Sequence, residues 1–323
     1  MPADFSEYLG MPVLVTGGAG FIGSNLVRGL LGAGANVAVL DDLSFGTLKN
    51  LEGLDSRLGF ITGDVRNADD CRRALQGRQL VFHLAALGSV PASVEMPLKY
   101  HDVDATGTLT LLEAARQAGV KRFVYSASSS AYGDSPALPK IETMIPAPKS
   151  PYAAAKLTGE YYARVYAEVY GLGTVSLRYF NVFGPRQSPK SQYAAVIPAF
   201  IAAMSQGRAV QIYGDGEQTR DFCYVANVVH ANMLAGITEA TLTGQVVNVG
   251  CAQRTSLNDL ARLLQNLTQC QAAPIYLEAR AGDVKDSLAD ISAIKNLLGY
   301  EPLVYLDEGL AQTVRWFTQS EMR

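Results

Sequence analysis

Short apolar runs alternate with longer amphipathic segments through the first half of the chain. Five apolar runs predict buried strands, and three segments between them have helical length and spacing. The predicted strands lie at 13–15, 37–40, 60–61, 80–82 and 123–125, and the predicted helices at 22–31, 68–75 and 104–117. Because strands that alternate with helices form parallel sheets covered on both faces, the pattern predicts a doubly wound, mostly parallel α/β fold.

The pattern changes near residue 178, after a long predicted helix at 153–170 and a predicted strand at 174–177. Prolines and irregular polar segments then alternate with shorter elements, which predicts a second, smaller α/β region. We expect a first domain at 1–180 and a second domain at 181–323, whose loops carry recognition. A segment at 222–255, which includes a strand-like run at 245–250, is expected to return to the first sheet.

Composition narrows the class of protein. The chain has 323 residues, 48% of them hydrophobic, and 27 Lys+Arg against 30 Asp+Glu give a formal net charge of -3. This balance offers no basic surface for nucleic acid. No apolar stretch has the roughly 18 residues of a membrane helix, and the N-terminus lacks the pattern of a secretory signal. Scattered cysteines and three widely separated histidines predict reduced thiols, a cytoplasmic location and no metal site.

The strongest local motif is Gly17-x-x-Gly20-x-x-Gly23, which lies between the first predicted strand and the first predicted helix. Gly17 suits a tight turn, Gly20 lets the backbone approach a pyrophosphate, and Gly23 allows the helix to pack closely on the strand. The N-terminus of the helix offers N–H groups and a positive dipole to the phosphates. The alternative is a chance glycine pattern in an α/β turn without a ligand.

An acidic residue follows at the end of the second strand. Asp41, 18 positions after Gly23 (41 − 23), can accept hydrogen bonds from the ribose hydroxyls of a dinucleotide. Asp41 and Asp42 would repel the extra phosphate of NADP, so we expect NAD. Asp64, after the third strand, either reaches the adenine or serves as the N-cap of the next helix.

Tyr152 and Lys156 are four residues apart on the long predicted helix, and therefore on one face. A free tyrosine has a pKa of about 10, too high for a base at neutral pH. We expect the nearby ammonium and a nicotinamide ring to lower the pKa of Tyr152, so that it removes a proton from a substrate hydroxyl. Pro151 fits the start of a helix. A surface Tyr–Lys pair without catalytic function is the alternative.

The glycine spacing and the Tyr-x-x-x-Lys motif together resemble the extended short-chain dehydrogenase/reductases. Further segments resemble their nucleotide-sugar epimerase/dehydratase group: Arg178-Tyr-Phe-Asn-Val-Phe-Gly-Pro185, Gly214 to Phe222 and Arg280-Ala-Gly-Asp283. The resemblance implies a Rossmann sheet, NAD as cofactor and a UDP-sugar as substrate. It also selects Ser128 as the third catalytic residue, with its neighbours Ser129 and Ser130 as the alternatives.

The resemblance implies two further sets of residues. The cofactor would contact Gly17, Gly20, Phe21, Ile22, Gly23, Asp41, Asp64, Val65, Leu84, Ala85, Ala86, Tyr152, Lys156 and Tyr179. The substrate would contact Ser89, Val90, Ser128, Ser129, Ser130, Asn181, Val196, Tyr213, Arg220, Arg280, Asp283 and Ser287. Within these sets, Arg220 and Arg280 would bind the diphosphate, because guanidinium donors match its oxygens.

Three features bear on the substrate. The loop from His83 to Ser93 resembles that of bacterial UDP-N-acetylglucosamine 4-epimerases, and 88–93 has no arginine for a uronate. Related 4-epimerases exclude the N-acetyl group with a bulky Tyr at the position of Ser287, so a small residue predicts acceptance of N-acetylated sugars. Ser129-Ser130 stands where dehydratases carry Asp-Glu, which disfavours dehydration. UDP-glucose or UDP-glucuronate 4-epimerisation, or a silent NAD-binding regulator on the same scaffold, are the alternatives.

Two implications concern particular helices. Asp104 stands where the family usually has Asn, and an ionised Asp can only accept hydrogen bonds. If it is buried, we expect a raised pKa or a different partner for Asp104. The family usually pairs two subunits through helices that correspond to 104–117 and 153–170, so a homodimer is expected.

Overall fold

The computed structural model describes residues 4–188, 195–278 and 285–321. The strands are β1 (Pro12–Thr16), β2 (Asn36–Asp41), β3 (Leu58–Thr62), β4 (Leu80–His83), β5 (Arg122–Ser128), β6 (Gly173–Tyr179), β7 (Val182–Phe183), β8 (Gln211–Tyr213), β9 (Thr219–Arg220), β10 (Cys223–Tyr224), β11 (Thr243–Val249), β12 (Thr255–Ser256) and β13 (Ile275–Leu277).

The helices are α1 (Phe21–Gly32), α2 (Ala68–Leu75), α3 (Val90–Glu95), α4 (Pro97–Tyr100), α5 (Gly107–Gln117), α6 (Pro151–Tyr170), α7 (Val196–Met204), α8 (Val225–Ile237), α9 (Leu257–Thr268), α10 (Ser292–Leu298) and α11 (Leu306–Glu321). A π-helical turn (His101–Thr106) precedes α5, and 3₁₀ turns cover Ser6–Tyr8, Leu48–Leu51 and Ser129–Tyr132.

Seven strands form one parallel sheet in the order β3-β2-β1-β4-β5-β6-β11. The chain winds outward from β1 to β3 and then returns to place β4 on the other side of β1. Ligands of such sheets bind at this reversal, outside the carboxyl ends of the strands. The predicted fold class is confirmed, and the strand-like segment at 245–250 coincides with β11 as far as Val249, where β11 pairs with β6.

Apolar side chains form separate clusters around the sheet. One face packs against α1, α8 and α10 through residues such as Leu26, Val228 and Ile294. The other face packs against α2, α5 and α6. A further cluster joins α7, α9, α11 and the short strands, with Ile201 and Leu264 at its centre. Residues after 180 thus contribute to two of these clusters, and the division at 180 stays a prediction.

Two buried contacts fix α6 on the sheet. Arg178 on β6 donates from Nε and Nη2 to the two carboxylate oxygens of Glu160 on α6, at 2.9 and 2.7 Å, and both side chains are buried. Nearer the start of the helix, Gly159 lies so close to β5 that an added Cβ would be 2.2 Å from the hydroxyl of Tyr125. These contacts set the position of every side chain that α6 carries above the sheet.

Candidate active site

The glycine turn lies against the segment that follows β4. Gly17 has φ of +67°, and a Cβ on it would lie 2.7 Å from the backbone nitrogen of Ala85. A Cβ on Gly23 would lie 2.1 Å from the carbonyl oxygen of Gly17. Helix α1 begins at Phe21, directly after Gly20, which has no side chain to cap it. Gly17, Gly20 and Gly23 therefore form a turn without side chains at the N-terminus of a helix, here called the glycine cradle. Such a turn fits a pyrophosphate.

Asp41 is hydrogen-bonded to this turn. Its carboxylate accepts from the backbone N–H groups of Ala19 and Leu43, each at 2.9 Å. Burial raises the pKa of Asp41 above its ordinary value, and the two backbone bonds oppose this rise. Each carboxylate oxygen keeps a second lone pair, so Asp41 can still accept from a ribose hydroxyl. The residues present therefore fit the NAD that the sequence predicts.

Asp64 is held by an arginine and does not cap a helix. Its carboxylate accepts from the backbone N–H and the guanidinium of Arg66, and Arg66 also pairs with Asp102 at 2.9 Å. The N-cap of α2 is Asn67, whose side-chain oxygen accepts from the backbone N–H of Asp69 and Asp70. The N-cap alternative for Asp64 was wrong, because α2 begins at Ala68. Contact of Asp64 and the adjacent Val65 with the adenine stays a prediction.

A buried histidine connects β1, β4 and α5 next to the glycine turn. His83 Nδ1 lies 2.7 Å from Thr16 Oγ1, and Nε2 lies 2.9 Å from Thr108 Oγ1. Thr108 donates to the carbonyl of Asp104, and Thr16 accepts from the N–H of Ala85. Thr108 must therefore accept from Nε2–H and Thr16 must donate to Nδ1. Burial lowers the pKa of His83 to about 3, so the ring is neutral.

Tyr152 lies in the first turn of α6, above the end of β5. The side chain of Ser150 caps this helix by accepting from the N–H of Ala153 at 3.1 Å, and Pro151 occupies the first position. The hydroxyl of Ser128, the last residue of β5, lies near the phenol of Tyr152 and lowers its pKa. The structure thus brings the predicted Ser128–Tyr152 pair together.

The three serines at the end of β5 are not equivalent. Ser128 Oγ accepts from the N–H of Ser130 at 3.2 Å and from its hydroxyl at 2.8 Å. A hydroxyl has two lone pairs and one proton, so Ser128 accepts twice and still has its proton to donate. Ser130 therefore orients Ser128, whereas Ser129 starts the 3₁₀ turn.

The pKa of Tyr152 is governed mainly by burial. Burial raises the pKa of Tyr152 to about 12, the nearby Ser128 hydroxyl lowers it, and the charge of Asp104 raises it further. The ring of Tyr100 also packs edge-on against Tyr152, with 6.4 Å between centroids. In the protein chain alone, loss of water around the phenol outweighs the effect of Ser128. The fall in pKa expected beside a nicotinamide ring stays a prediction.

Lys156 lies beneath Tyr152 on the same face of α6. Its side chain is 3% exposed, and Nζ lies 4.5 Å from the ring centroid of Tyr125. Burial lowers the pKa of Lys156 to about 8, while the carboxylates of Asp104 and Glu160 raise it. The ammonium is thus held by an aromatic face and two acidic groups.

Asp104 is buried in the π-helical turn, beside this pair. Its Oδ1 accepts from the N–H of Leu87 at 2.8 Å, and its buried Oδ2 has no hydrogen-bond donor. Burial raises the pKa of Asp104 to about 6, and the charge of Lys156 opposes the rise. The raised pKa predicted for a buried Asp104 is confirmed.

Part of the predicted substrate set is brought together by the backbone. Asn181 donates from Nδ2 to the carbonyl of Asp221, next to Arg220, at 3.3 Å. Arg220 donates to the carbonyl of Thr219 at 2.9 Å, and Thr219 accepts from the N–H of Ser287 at 3.1 Å. Asn181, Arg220 and Ser287 therefore lie close together, and Ser287 is buried.

The remaining predicted residues are more dispersed. Ser89 caps α3, and Val90 is its exposed first residue. The hydroxyl of Tyr179 hydrogen-bonds to Asn232 on α8, and contact of Tyr179 with the cofactor stays a prediction. Leu84, Ala85 and Ala86 follow β4 beside Gly17, Val196 begins α7, and Tyr213 ends β8. Arg280 and Asp283 lie outside the described residues.

Sequence reasoning missed several residues that build the site. Tyr125 and Gly159 set the approach of α6 to β5, and Thr16 and Thr108 hold His83. Asp221 is fully buried and accepts from the N–H groups of Cys251 and Ala289. A glycine inside a long helix was the available signal for Gly159. The others depend on contacts between distant segments.

Two features are absent from the part of the chain that the structure describes. No group of three or more His, Cys, Asp or Glu side chains is arranged to hold a metal ion. Among the helices there, none combines the length and apolar character needed to cross a membrane.

This fold and this site define an extended short-chain dehydrogenase/reductase. Residues 13–250 match the model of the NAD dependent epimerase/dehydratase family, and the chain belongs to that family. NAD is therefore its cofactor.

Relatives of similar length are named as epimerases of several different UDP-sugars. A UDP-glucose 4-epimerase of Mycolicibacterium smegmatis is 40% identical over 95% of this chain and 98% of its own. The UDP-N-acetylglucosamine 4-epimerase of Methanobrevibacter ruminantium, solved with UDP-N-acetylmuramic acid, has a TM-score of 0.92 at 40% identity, over 97% and 99% of the two chains. The UDP-glucuronic acid 4-epimerase of Bacillus cereus, solved with UDP-glucuronic acid and NAD, has a TM-score of 0.89 at 34% identity, over 96% and 100%.

The glycine cradle yields a paired test. We expect Gly23→Ala to reduce bound NAD at least about tenfold and to lower Tm, because its Cβ would collide with the carbonyl of Gly17 and displace the turn. Gly32→Ala is the matched control on α1, since a Cβ there meets no atom within 4 Å. Released NAD and thermal melting measure the effects. Equal NAD content in the two variants would contradict the assigned role of Gly23.

Proposed function

We propose that the protein is an NAD-dependent 4-epimerase of UDP-hexoses that interconverts UDP-GlcNAc and UDP-GalNAc through a 4-keto sugar. The observation that carries the proposal is the arrangement of Ser128 near Tyr152, with buried Lys156 on the same helix, beside a cradle that fits a dinucleotide. The 4-epimerases among the relatives support the reaction class.

Each residue of the site has a task in this reaction. Tyr152 removes the proton of the 4-hydroxyl, and Ser128 donates to the same oxygen as its charge changes. NAD held by the glycine turn and Asp41 would supply reversible hydride transfer at C4, and its positive ring would favour the phenolate of Tyr152. Lys156 adds a second positive charge and can hold the nicotinamide ribose. The keto sugar must present both of its faces to the cofactor. The enzyme should therefore bind the substrate mainly through its nucleotide.

The sugar preference rests on side-chain size. Ser287 is small and lies beside Thr219 and Arg220, so it leaves room for a substituent at C2. Ser89 and Val90 are also small, and residues 88–93 supply no arginine for a carboxylate. These features support an N-acetylated sugar, as in the relative from Methanobrevibacter ruminantium.

One of the two alternative functions has support of its own. A UDP-glucose or UDP-glucuronate 4-epimerase is favoured by relatives with those names. A silent NAD-binding regulator would use the same scaffold, but the intact Ser128, Tyr152 and Lys156 arrangement speaks against it.

A homodimer is part of the proposal. Tyr161, Val165 and Val169 follow one another at four-residue spacing on α6, and they are 57%, 44% and 64% exposed. An apolar stripe of this kind on a helix surface is typical of an interface. It supports pairing of α5 and α6 with the same helices of a second copy.

The direct test uses the purified protein loaded with NAD. We expect incubation with UDP-GlcNAc to yield UDP-GalNAc, and the reverse reaction from UDP-GalNAc, because C4 alone is inverted. Chromatography of the nucleotide sugars measures both directions, with UDP-glucose and UDP-glucuronate run in parallel. Turnover of either of those sugars without turnover of UDP-GlcNAc would assign the alternative substrate.

Tyr152→Phe tests the proposed base. We expect turnover to fall at least about 10³-fold while NAD stays bound, because the substitution removes only the hydroxyl that exchanges the proton. Tyr161→Phe is the control, since Tyr161 is an exposed tyrosine of the same helix. Unchanged turnover in Tyr152→Phe would refute the role of Tyr152.

Ser287→Tyr tests the sugar preference. We expect the ratio of UDP-GlcNAc to UDP-glucose turnover to fall about 10–200-fold, as a bulky ring takes the space of the C2 substituent. Ser287→Ala should keep the wild-type ratio, and melting curves check that both variants fold. An equal loss for both sugars would contradict a steric role for Ser287.

A further inference from the structure

Asp104 is a buried carboxyl group that uses only part of its hydrogen-bonding capacity. Asp104 is 1% exposed. Its Oδ1 accepts a hydrogen bond from the N–H of Leu87, which lies in the segment after β4. Oδ2 is enclosed without a donor. Burial of a carboxylate without partners is costly, so the position of Asp104 calls for a compensating charge.

The compensating positive charge lies on α6. Lys156 faces Asp104 and attracts its carboxylate, and Asp104 in turn acts electrostatically on Tyr152 from the same helix and on Tyr125 from β5. From the short helix before the turn, Tyr100 also faces Asp104. The π-helical turn that carries Asp104 packs against α6, and the charge of Asp104 acts on both members of the Tyr–Lys pair.

The other charged groups nearby are already matched. Glu160 on α6 also faces Lys156, but Arg178 binds both of its oxygens. His83 on β4 is neutral between its two threonines. On the same turn as Asp104, His101 is exposed, and Asp102 pairs with Arg66. Within the described residues, no cation forms a direct ion pair with Asp104, so its charge acts on Lys156 and Tyr152 undiminished.

We propose that Asp104 is a positioning residue whose negative charge moves the pH range in which Tyr152 and Lys156 act to higher pH. This inference rests on the proposed function, since it assigns Tyr152 and Lys156 their roles. A nearby negative charge favours the ammonium of Lys156 and disfavours the phenolate of Tyr152. Both ionisations then occur at higher pH than they would beside a neutral side chain.

The size and the sign of the effect follow from electrostatics. The pKa of Asp104 is raised to about 6 by burial, so its carboxyl is ionised at pH 7 and above. A unit charge that acts over about 10 Å at an effective dielectric constant of about 20 shifts a pKa by about one unit. Removal of this charge should therefore shift both limbs of the activity profile to lower pH by about one unit.

The first experiment compares Asp104→Asn with the wild type. Asn has nearly the same shape, and its side-chain oxygen can still accept from the N–H of Leu87. We expect the pH profile of kcat/KM for UDP-GlcNAc to shift down by about one unit, which is about tenfold in rate on the acid limb. Asp102→Asn removes the same charge two residues away at an exposed site and should leave the profile in place. Superimposed profiles of Asp104→Asn and wild type would overturn the proposal.

A second readout needs no turnover. The near-ultraviolet phenolate absorbance of Tyr152 is obtained by subtracting the titration of Tyr152→Phe from that of the parent protein. We expect this phenolate to form at lower pH in the Asp104→Asn background than in the wild-type background. If no UDP-hexose is converted, the proposed function fails, and this titration still decides the charge coupling. Identical titrations in the two backgrounds refute it.

Melting curves separate the electrostatic effect from a folding defect. The pKa of Asp104 is higher in the folded protein than its ordinary value of 3.8, so wild-type stability falls as pH rises through about 4 to 6. Tm of Asp104→Asn relative to wild type should therefore increase between pH 4 and pH 7. A constant difference in Tm at every pH would show that Asp104 does not ionise in this range, and the proposal would fail.

Discussion

The close contact between α6 and β5 determines where the reacting groups lie. Gly159 allows the helix to approach until the hydroxyl of Tyr125 donates to the carbonyl of Lys156 at 3.2 Å. The ring of Tyr125 then forms the floor beneath the ammonium of Lys156. One turn earlier on the same helix, Tyr152 is brought to Ser128 at the end of β5. A larger residue at 159 would lift the helix and separate both pairs at once.

His83 plays the corresponding role on the cofactor side. The neutral ring links Thr16 of β1 to Thr108 of α5, at the point where the order of strands reverses. Thr108 in turn holds the carbonyl of Asp104, and Thr16 holds the N–H of Ala85 beside the glycine turn. A single chain of hydrogen bonds therefore joins the phosphate cradle to the helical turn next to Lys156. This chain of hydrogen bonds requires a neutral imidazole, because one ring nitrogen must accept a hydrogen bond.

The parts of the fold that the sequence could predict are those with local causes. Hydrophobic alternation located the strands, and the spacing of Gly17, Gly20 and Gly23 located the cradle. The four-residue interval between Tyr152 and Lys156 placed them on one helix face. One failure was local, because Asn67 and not Asp64 caps α2. The burial of Tyr152 and the influence of Asp104 and Tyr100 on its pKa depend on distant segments, so they could not be inferred from α6 alone.

The proposed anchoring and selection of the substrate are mechanically linked. Ser287, the proposed determinant of the sugar, donates its N–H to Thr219, and Thr219 precedes the proposed diphosphate ligand Arg220 in β9. Asp221 follows directly and is fixed by backbone donors from Cys251, after β11, and from Ala289. The large sheet thus supports this strand through a buried carboxylate. A shift of β9 would therefore move the proposed diphosphate ligand Arg220 and the proposed sugar determinant Ser287 together.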